Sequence, residues 1–252
     1  MKKLEIVTFL LVLLSTISFG ATYKIDLIIG KVILKQGYKS MSPNIGYTLK
    51  KGDTIITAKD SECVIKINDK GLMKIEEQTT VTFDEIEKIT TKYKLDKISA
   101  KGNITFSGRK VYSPKNKVTI KTETAFATVR GTEFVLEAEE QNTTIYTIEG
   151  SVSVAPILPN AEYTTLIDNY SVDVNEGEKI SLSSLDIINA TTEFEKGKGL
   201  EYLKGKKQPL TEIEKQKYAK RLKMLKELYK KRKSELQKKT KEYSKDIEKL
   251  FE

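Results

Sequence analysis

From Tyr23 to about Leu182 the chain is a succession of short apolar, β-branched runs separated by glycine or asparagine turns. No other feature constrains the fold as much. Val64-Ile65-Lys66-Ile67 alternates, turns through Asn68-Asp69-Lys70-Gly71, and returns as Leu72-Met73-Lys74-Ile75. Comparable hairpins are predicted at Lys101-Gly102-Asn103, between Ile98 and Phe106, at Glu149-Gly150, between Ile145 and Val154, and at Asp168-Asn169, between Leu166 and Val174. A period of two gives each strand one buried face, and Gly or Asn supplies the positive φ that tight turns need. Hairpins repeated at this spacing predict a mainly β fold, an antiparallel sandwich, jelly roll or barrel, of which the sandwich or jelly-roll form is the expectation. Residues 85–97 carry Glu85, Glu87, Lys88, Lys92 and Lys94 and are predicted to be a loop or an exposed edge strand.

Thr124 to Phe134 is the most specific stretch within that pattern. An extended run is broken at Arg130-Gly131-Thr132 and resumes as Glu133-Phe134-Val135-Leu136. The residues themselves say strand, glycine corner, strand. The wording resembles the signature of the FecR domain, a bacterial periplasmic β domain. Other pieces of that family's pattern follow in order. They are Gly30-Lys31-Val32, Leu49 to Thr57 with Gly52-Asp53 and Thr57, Asn68 to Leu72, Ile120-Lys121-Thr122, Thr147 to Val152 with Glu149-Gly150, and Asn175 to Glu178. The resemblance spans about 30–182. It marks Gly52, Asp53, Thr57, Arg130, Gly131, Thr132, Glu149 and Gly150 as motif residues, structural or interacting. Read without the resemblance, Asp53 bonds nearby backbone amides in its turn, and Arg130 either braces the corner, against Glu133 or Glu149, or contacts a partner carboxylate.

The N-terminus reads as an export signal. Lys2 and Lys3 precede an apolar run from Ile6 to Phe19, and Ser18 and Gly20 place small residues before Ala21. The run falls short of the roughly 20 residues a membrane helix needs. The expectation is a signal over 1–20, cleaved, and a mature protein in the periplasm or outside the cell, with no transmembrane segment left. The single cysteine, Cys63, excludes an internal disulfide; on the face of Ile65 and Ile67 it reads as a buried apolar side chain.

Composition shifts near residue 183, where Lys, Glu and Leu replace Gly and β-branched residues. Residues 183–209 are expected to be a linker with one short helix, weakened by Gly197, Gly199 and Gly205. Thr211-Glu212-Ile213-Glu214 is a capping box, and no Pro or Gly follows it, so 210–252 is predicted as one long helix. Leu222, Tyr229, Leu236, Tyr243 and Leu250 share one heptad position; the companion position, Tyr218, Leu225, Arg232, Lys239 and Asp246, is apolar only at its start. Such a half-formed seam can dock on the β domain, pair with a second helix or receive a partner. Of the net charge of +9, residues 211–252 hold +7, from 15 Lys/Arg against 8 Asp/Glu.

With no histidine and one cysteine, the commonest general base and the usual zinc and iron–sulfur ligand sets are missing, and no cofactor is expected. No carboxylate pair, phosphate loop or nucleophile motif meets the requirements of an active site. Nucleic acid is not an expected partner, since export and the lack of an aromatic-studded basic surface argue against it. The absence of Trp weakens a polysaccharide platform. FecR itself is a signal transducer, and the resemblance implies a cytoplasmic anti-sigma segment and a membrane helix ahead of the domain. Only a few residues precede the apolar run here. The expected function is therefore a non-enzymatic envelope binding or scaffold protein, with the helix as the element facing a protein partner or an anionic envelope component. The alternative is a sensory regulator acting through a membrane partner.

Overall fold

Alternating side chains sort the β segments into two layers that share one strand. The structure, a computed structural model, describes residues 21–68, 71–89, 94–108, 116–129 and 131–248. The first sheet holds β1 (Tyr23–Ile29), β5 (Glu62–Ile67), β6 (Gly71–Ile75), the second half of β8 (Lys94–Ser107), β11 (Glu133–Glu139), β12 (Asn142–Glu149), β15 (Glu178–Ser183) and β16 (Lys207–Pro209), in that order. The second holds β3 (Lys39–Met41), β2 (Val32–Gln36), β4 (Asp53–Thr57), β7 (Thr80–Ile89), the first half of β8, β9 (Asn116–Lys121), β10 (Ala125–Val129), β13 (Ser151–Pro156) and β14 (Val172–Asn175). Facing side chains of both layers, among them Ile25, Ile65, Met73, Phe106 and Phe134 from the first and Leu34, Ile55, Val81, Phe83 and Val129 from the second, form one core. The fold is the expected mainly β sandwich, open rather than closed, followed by a long helix.

Local signals misled at four places. Lys101-Gly102-Asn103 is not a hairpin. β8 runs straight through it, and Lys101 pairs with Thr80 in the second sheet while Gly102 pairs with Ala138 in the first. Gly102, at φ +109°, lies so close to Thr79 that an added Cβ would sit 2.8 Å from its Cα. Glu149-Gly150 is also a passage between sheets, because β12 pairs with β11 and β15 whereas β13 pairs with β10 and β14. Leu166 to Asn169 belongs to a helix, α1 (Tyr163–Asn169), and only β14 is extended. Of residues 85–97, 85–89 end β7 and 94–97 begin β8, and 90–93 lie outside the described residues, so the expected loop or exposed edge does not cover the described part as a whole. β8 starts at Lys94 between β7 and β9, Leu95 and Asp96 are buried, and the Tyr23 hydroxyl donates to the Asp96 carboxylate at 2.7 Å. A hairpin and a sheet crossing share the same glycine signal; which forms depends on partners far along the chain. The purely antiparallel expectation also needs one amendment. β8 and β9 are parallel, since β8 ends in the other sheet and β9 begins again beside its start.

Residues 183–209, expected as a linker, form α2 (Ser184–Glu195), α3 (Gly199–Gly205) and β16, and contribute Ala190 and Leu203 to the buried clusters. Gly197, at φ +74°, separates the two helices, and Gly199 lets the Phe194 ring lie against its backbone. Ser183 and Asp186 form a reciprocal cap that starts α2. The terminal helix, α4 (Glu212–Glu248), begins at the predicted box, where Thr211 Oγ1 accepts the Glu214 amide and the Glu214 carboxylate accepts the Thr211 amide.

Candidate interaction surface

The motif corner starts from Val129 at the end of β10. Arg130 lies outside the described residues. Gly131, at φ +77°, turns the chain into the first sheet, a conformation with a steric cost for any side chain. Gly150, at φ +82°, turns it back one hairpin later, and a Cβ there would stand 2.9 Å from Thr132 Cγ2. The two crossings therefore stack on each other, which brings Gly131, Thr132, Glu149 and Gly150 together. The hydroxyls of Thr132, Thr147 and Ser151 are buried beside them without a hydrogen-bond partner among the described residues. Gly52, in the turn before β4, and Asp53 and Thr57, on β4, are elsewhere, separated from β10 by β7, β8 and β9 in the second sheet. Asp53 accepts the Lys50 amide at 2.9 Å, the Tyr47 hydroxyl at 2.9 Å and the Gln36 amide group at 3.0 Å, and Thr57 exchanges hydrogen bonds with the Thr79 backbone. These groups are internally satisfied and hold the turn.

The corner meets α4. Glu133, buried at the start of β11, accepts from the Ser107 hydroxyl at 3.1 Å and pairs with Lys226 Nζ at 2.5 Å. α4 crosses the outer face of the first sheet from β15 toward β1. Glu214 pairs with Lys179 at 2.6 Å. Tyr218 then lies on Tyr146, ring centroids 4.3 Å apart, and both hydroxyls donate to the Glu137 carboxylate at 3.2 Å. Burial and that carboxylate push both phenols up from their ordinary value. Arg221 Nε reaches Glu76 at 2.8 Å and Nη1 reaches Glu137 at 3.4 Å. Lys74 bridges Glu62 at 2.6 Å and Glu76 at 3.3 Å, and Thr105 donates to Glu76 at 2.8 Å. Burial by itself would raise the Glu76 carboxyl; Arg221, Lys74 and Thr105 outweigh it and hold it low. Farther on, Leu225 packs on Val64 and Leu72, with Leu27 and Tyr229 beside them.

Of the five seam residues, Leu222 is buried and Tyr229 half-buried. The side chains of Leu236 and Tyr243, and all of Leu250, lie outside the described residues. The stripe that packs is Tyr218, Leu222, Leu225 and Tyr229, which draws on both heptad positions where the companion position is still apolar. After Tyr229, Lys230, Lys231, Lys233, Ser234 and Glu235 are exposed, while Arg232 is half-buried with its Nε buried. Reading the sequence missed the buried charges under the helix. Glu76, Glu133 and Glu137 look like ordinary solvent-facing positions of alternating strands, and their partners Arg221 and Lys226 are more than 80 residues away. The only usable signal was negative: a strand face that already carries Val64 and Leu72 beside its core residues needs a cover.

The arrangement is an intramolecular contact built of apolar packing and ion pairs. The Cys63 thiol is buried in the core and pushed up to about 12 by desolvation, far from the thiolate a nucleophile requires. Among the described residues, no three His, Cys, Asp or Glu side chains converge to hold a metal ion, and no helix is long and apolar enough to cross a membrane.

Residues 53–153 match the family described as FecR protein, so the chain carries a FecR domain. The match runs from the first residue of β4 into β13 and includes both stacked corners. No curated protein matches the sequence. Two crystal structures of a candidate anti-sigma factor from Parabacteroides distasonis are similar, each at 13% identity and a TM-score of 0.40, over 52% of this chain and 55% of the other. The chain thus spans about half the length of the proteins it resembles in structure.

Proposed function

We propose that this FecR-domain chain is an exported regulatory module of the cell envelope that works by binding protein rather than by catalysis, with α4 as its interaction arm. The observation that carries this reading is the division of α4. Its first half is built into the domain by Tyr218, Leu222, Leu225 and the ion pairs of Arg221 and Lys226, and beyond Tyr229 it continues with Lys230, Lys231 and Lys233 exposed and further lysines in the sequence. The helix extends about 28 Å beyond Tyr229, a length we assign to another surface. Export is supported by the Lys2-Lys3 start, the apolar run and the small residues before Ala21. Regulation is supported by the FecR domain, and binding by the length of α4 beyond its packed stripe.

The test is a crosslinking pull-down from intact envelopes with the full mature chain and with a chain ending at Tyr229. The truncated form keeps the contacts of Tyr218, Arg221, Leu222, Leu225 and Lys226 with the sheet, and a circular dichroism melt checks that it stays folded. Loss of the captured protein on truncation supports the reading. A partner set unchanged by truncation moves binding to the β domain. Capture of an anionic polymer instead of protein makes the arm an adhesive element of the envelope.

A further inference from the structure

Charge is distributed unevenly between the distal part of α4 and one end of the first sheet. The end of β1, the start of β5 and the end of β6 enclose a cleft of about 410 Å³ lined by Ile29, Asp60, Ser61, Glu62, Glu76 and Glu77. Glu62 and Glu76 are neutralised by Lys74 and Arg221. Asp60 and Glu77 are exposed, and the Glu77 carboxylate meets only the Asp60 backbone amide among the contacts described, so the cleft keeps a net negative rim. Ile29, on the same edge, is 39% exposed, an apolar floor for a docking side chain. Beyond Tyr229 α4 carries the opposite net charge, with Lys230, Lys231, Arg232, Lys233, Lys238, Lys239, Lys241 and Lys245 against Glu235, Glu242, Asp246 and Glu248. By heptad position the stripe that packs through Leu225 and Tyr229 continues to Leu236 and Tyr243.

We infer that the occupant of this surface is a second copy of the chain: the distal half of each α4 lies along the acidic cleft of the other copy, and the two exchanges are related by a two-fold axis. The inference rests on reading α4 as the interaction arm and names what the arm engages. The helix runs unbroken to Glu248, and between Arg221, beside Glu76, and Leu225, beside Leu72, it is already moving away from its own cleft, so its distal half does not return there. It can reach an identical cleft presented by a neighbour. In a two-fold arrangement the same patch pair is used twice, and each lysine-rich segment meets acidic residues instead of the other lysine-rich segment. Charge complementarity of this kind sets register and partner choice and makes association salt-dependent.

The experiment uses the full mature chain and two variants, one with the cleft altered (Asp60→Asn with Glu77→Lys) and one with the arm reversed (Lys230→Glu, Lys231→Glu and Lys233→Glu). All the altered residues are exposed, and circular dichroism melts establish that both variants stay folded. Sedimentation at low and high salt should show the parent at twice the monomer mass, weakening as salt rises, and each variant alone at least about tenfold weaker in self-association. An equimolar mixture of the two variants should recover the double mass, because the altered cleft now suits the reversed arm and the native cleft suits the native arm. A parent that stays monomeric, a dimer indifferent to both variants, or a mixture that fails to recover each overturns the inference. If the parent is monomeric while the envelope pull-down still loses a captured protein on truncation at Tyr229, the second copy is wrong and the interaction arm stands.

Discussion

The two sheets are covered on their outer faces by helices of opposite chemistry. α1 and α2 cover the second sheet with apolar side chains: Leu166, Ile167 and Ala190 close over Leu95, Phe126 and Ala155, with Tyr163 stacked on Phe126. α4 covers the first sheet with a narrow apolar stripe set among Glu62, Glu76, Glu133, Glu137, Lys74, Arg221 and Lys226. An apolar cover contributes stability in proportion to its buried area and is indifferent to salt. A cover made of ion pairs exchanges hydration for attraction at small net gain, and what it adds is registry. The difference teaches which helix belongs permanently to the fold and which is held by forces a partner, salt or acid can compete with.

The largest expected effect lies on the apolar side. Leu166→Ala should cost about 2–5 kcal/mol, since the side chain is 1% exposed and its removal leaves a cavity. Denaturant unfolding at two salt concentrations should give the same loss; a strong salt dependence would erase the contrast. Gly102→Ala comes next, at about 1–3 kcal/mol, because the positive φ and the Thr79 backbone both oppose a side chain. β8 belongs to both layers, so hydrogen exchange should speed up in α1 and α4 together. If only one helix responds, the shared strand does not couple the two covers.

Arg221→Met should cost about 1–3 kcal/mol, by leaving Glu76 and Glu137 short of a buried partner. Exchange should rise over 212–229 and not over α1, and raised salt should shrink the gap between variant and parent. An equal response in α1 would show that the ion pairs serve the whole fold. Acid should act in the same place. Burial opposes ionisation of Glu76 and Glu214, but Arg221 and Lys74 around one, and Lys179 and Thr211 around the other, hold both carboxyls below their ordinary value. Their contribution is therefore present above the unfolded carboxyl value, roughly 4.3, and is lost as pH falls through the lower folded value. Exchange in 212–229 should accelerate over that range while the Leu166 cluster stays protected. Asp186 gives α2 a response of the same sign through its cap, where Lys206 and Ser183 overcome the effect of burial. The smallest effect is expected of Thr211→Ala, about 0.5–2 kcal/mol, read as fraying at the start of α4.

What the sequence determined by itself is local. Period-two alternation placed Cys63, Ile65 and Ile67 on one buried face, the Thr211 and Glu214 box started α4 where it starts, and positive-φ glycines marked Gly131 and Gly150 as places where the chain turns. Each of these is decided by atoms within a few residues, so a string of residues contains it. Tertiary structure alone decided that the turn at Gly102 is a crossing and not a hairpin, because the deciding partners, Thr80 and Ala138, lie more than 20 residues away on opposite sides. It also decided that 183–209 packs as two helices and a strand, since Leu203 gains its burial from residues of the distant core. Above all it joined the FecR corner to the helix. Glu133 and Lys226 are 93 positions apart and meet only because α4 is laid across the first sheet, which no periodicity in either segment records.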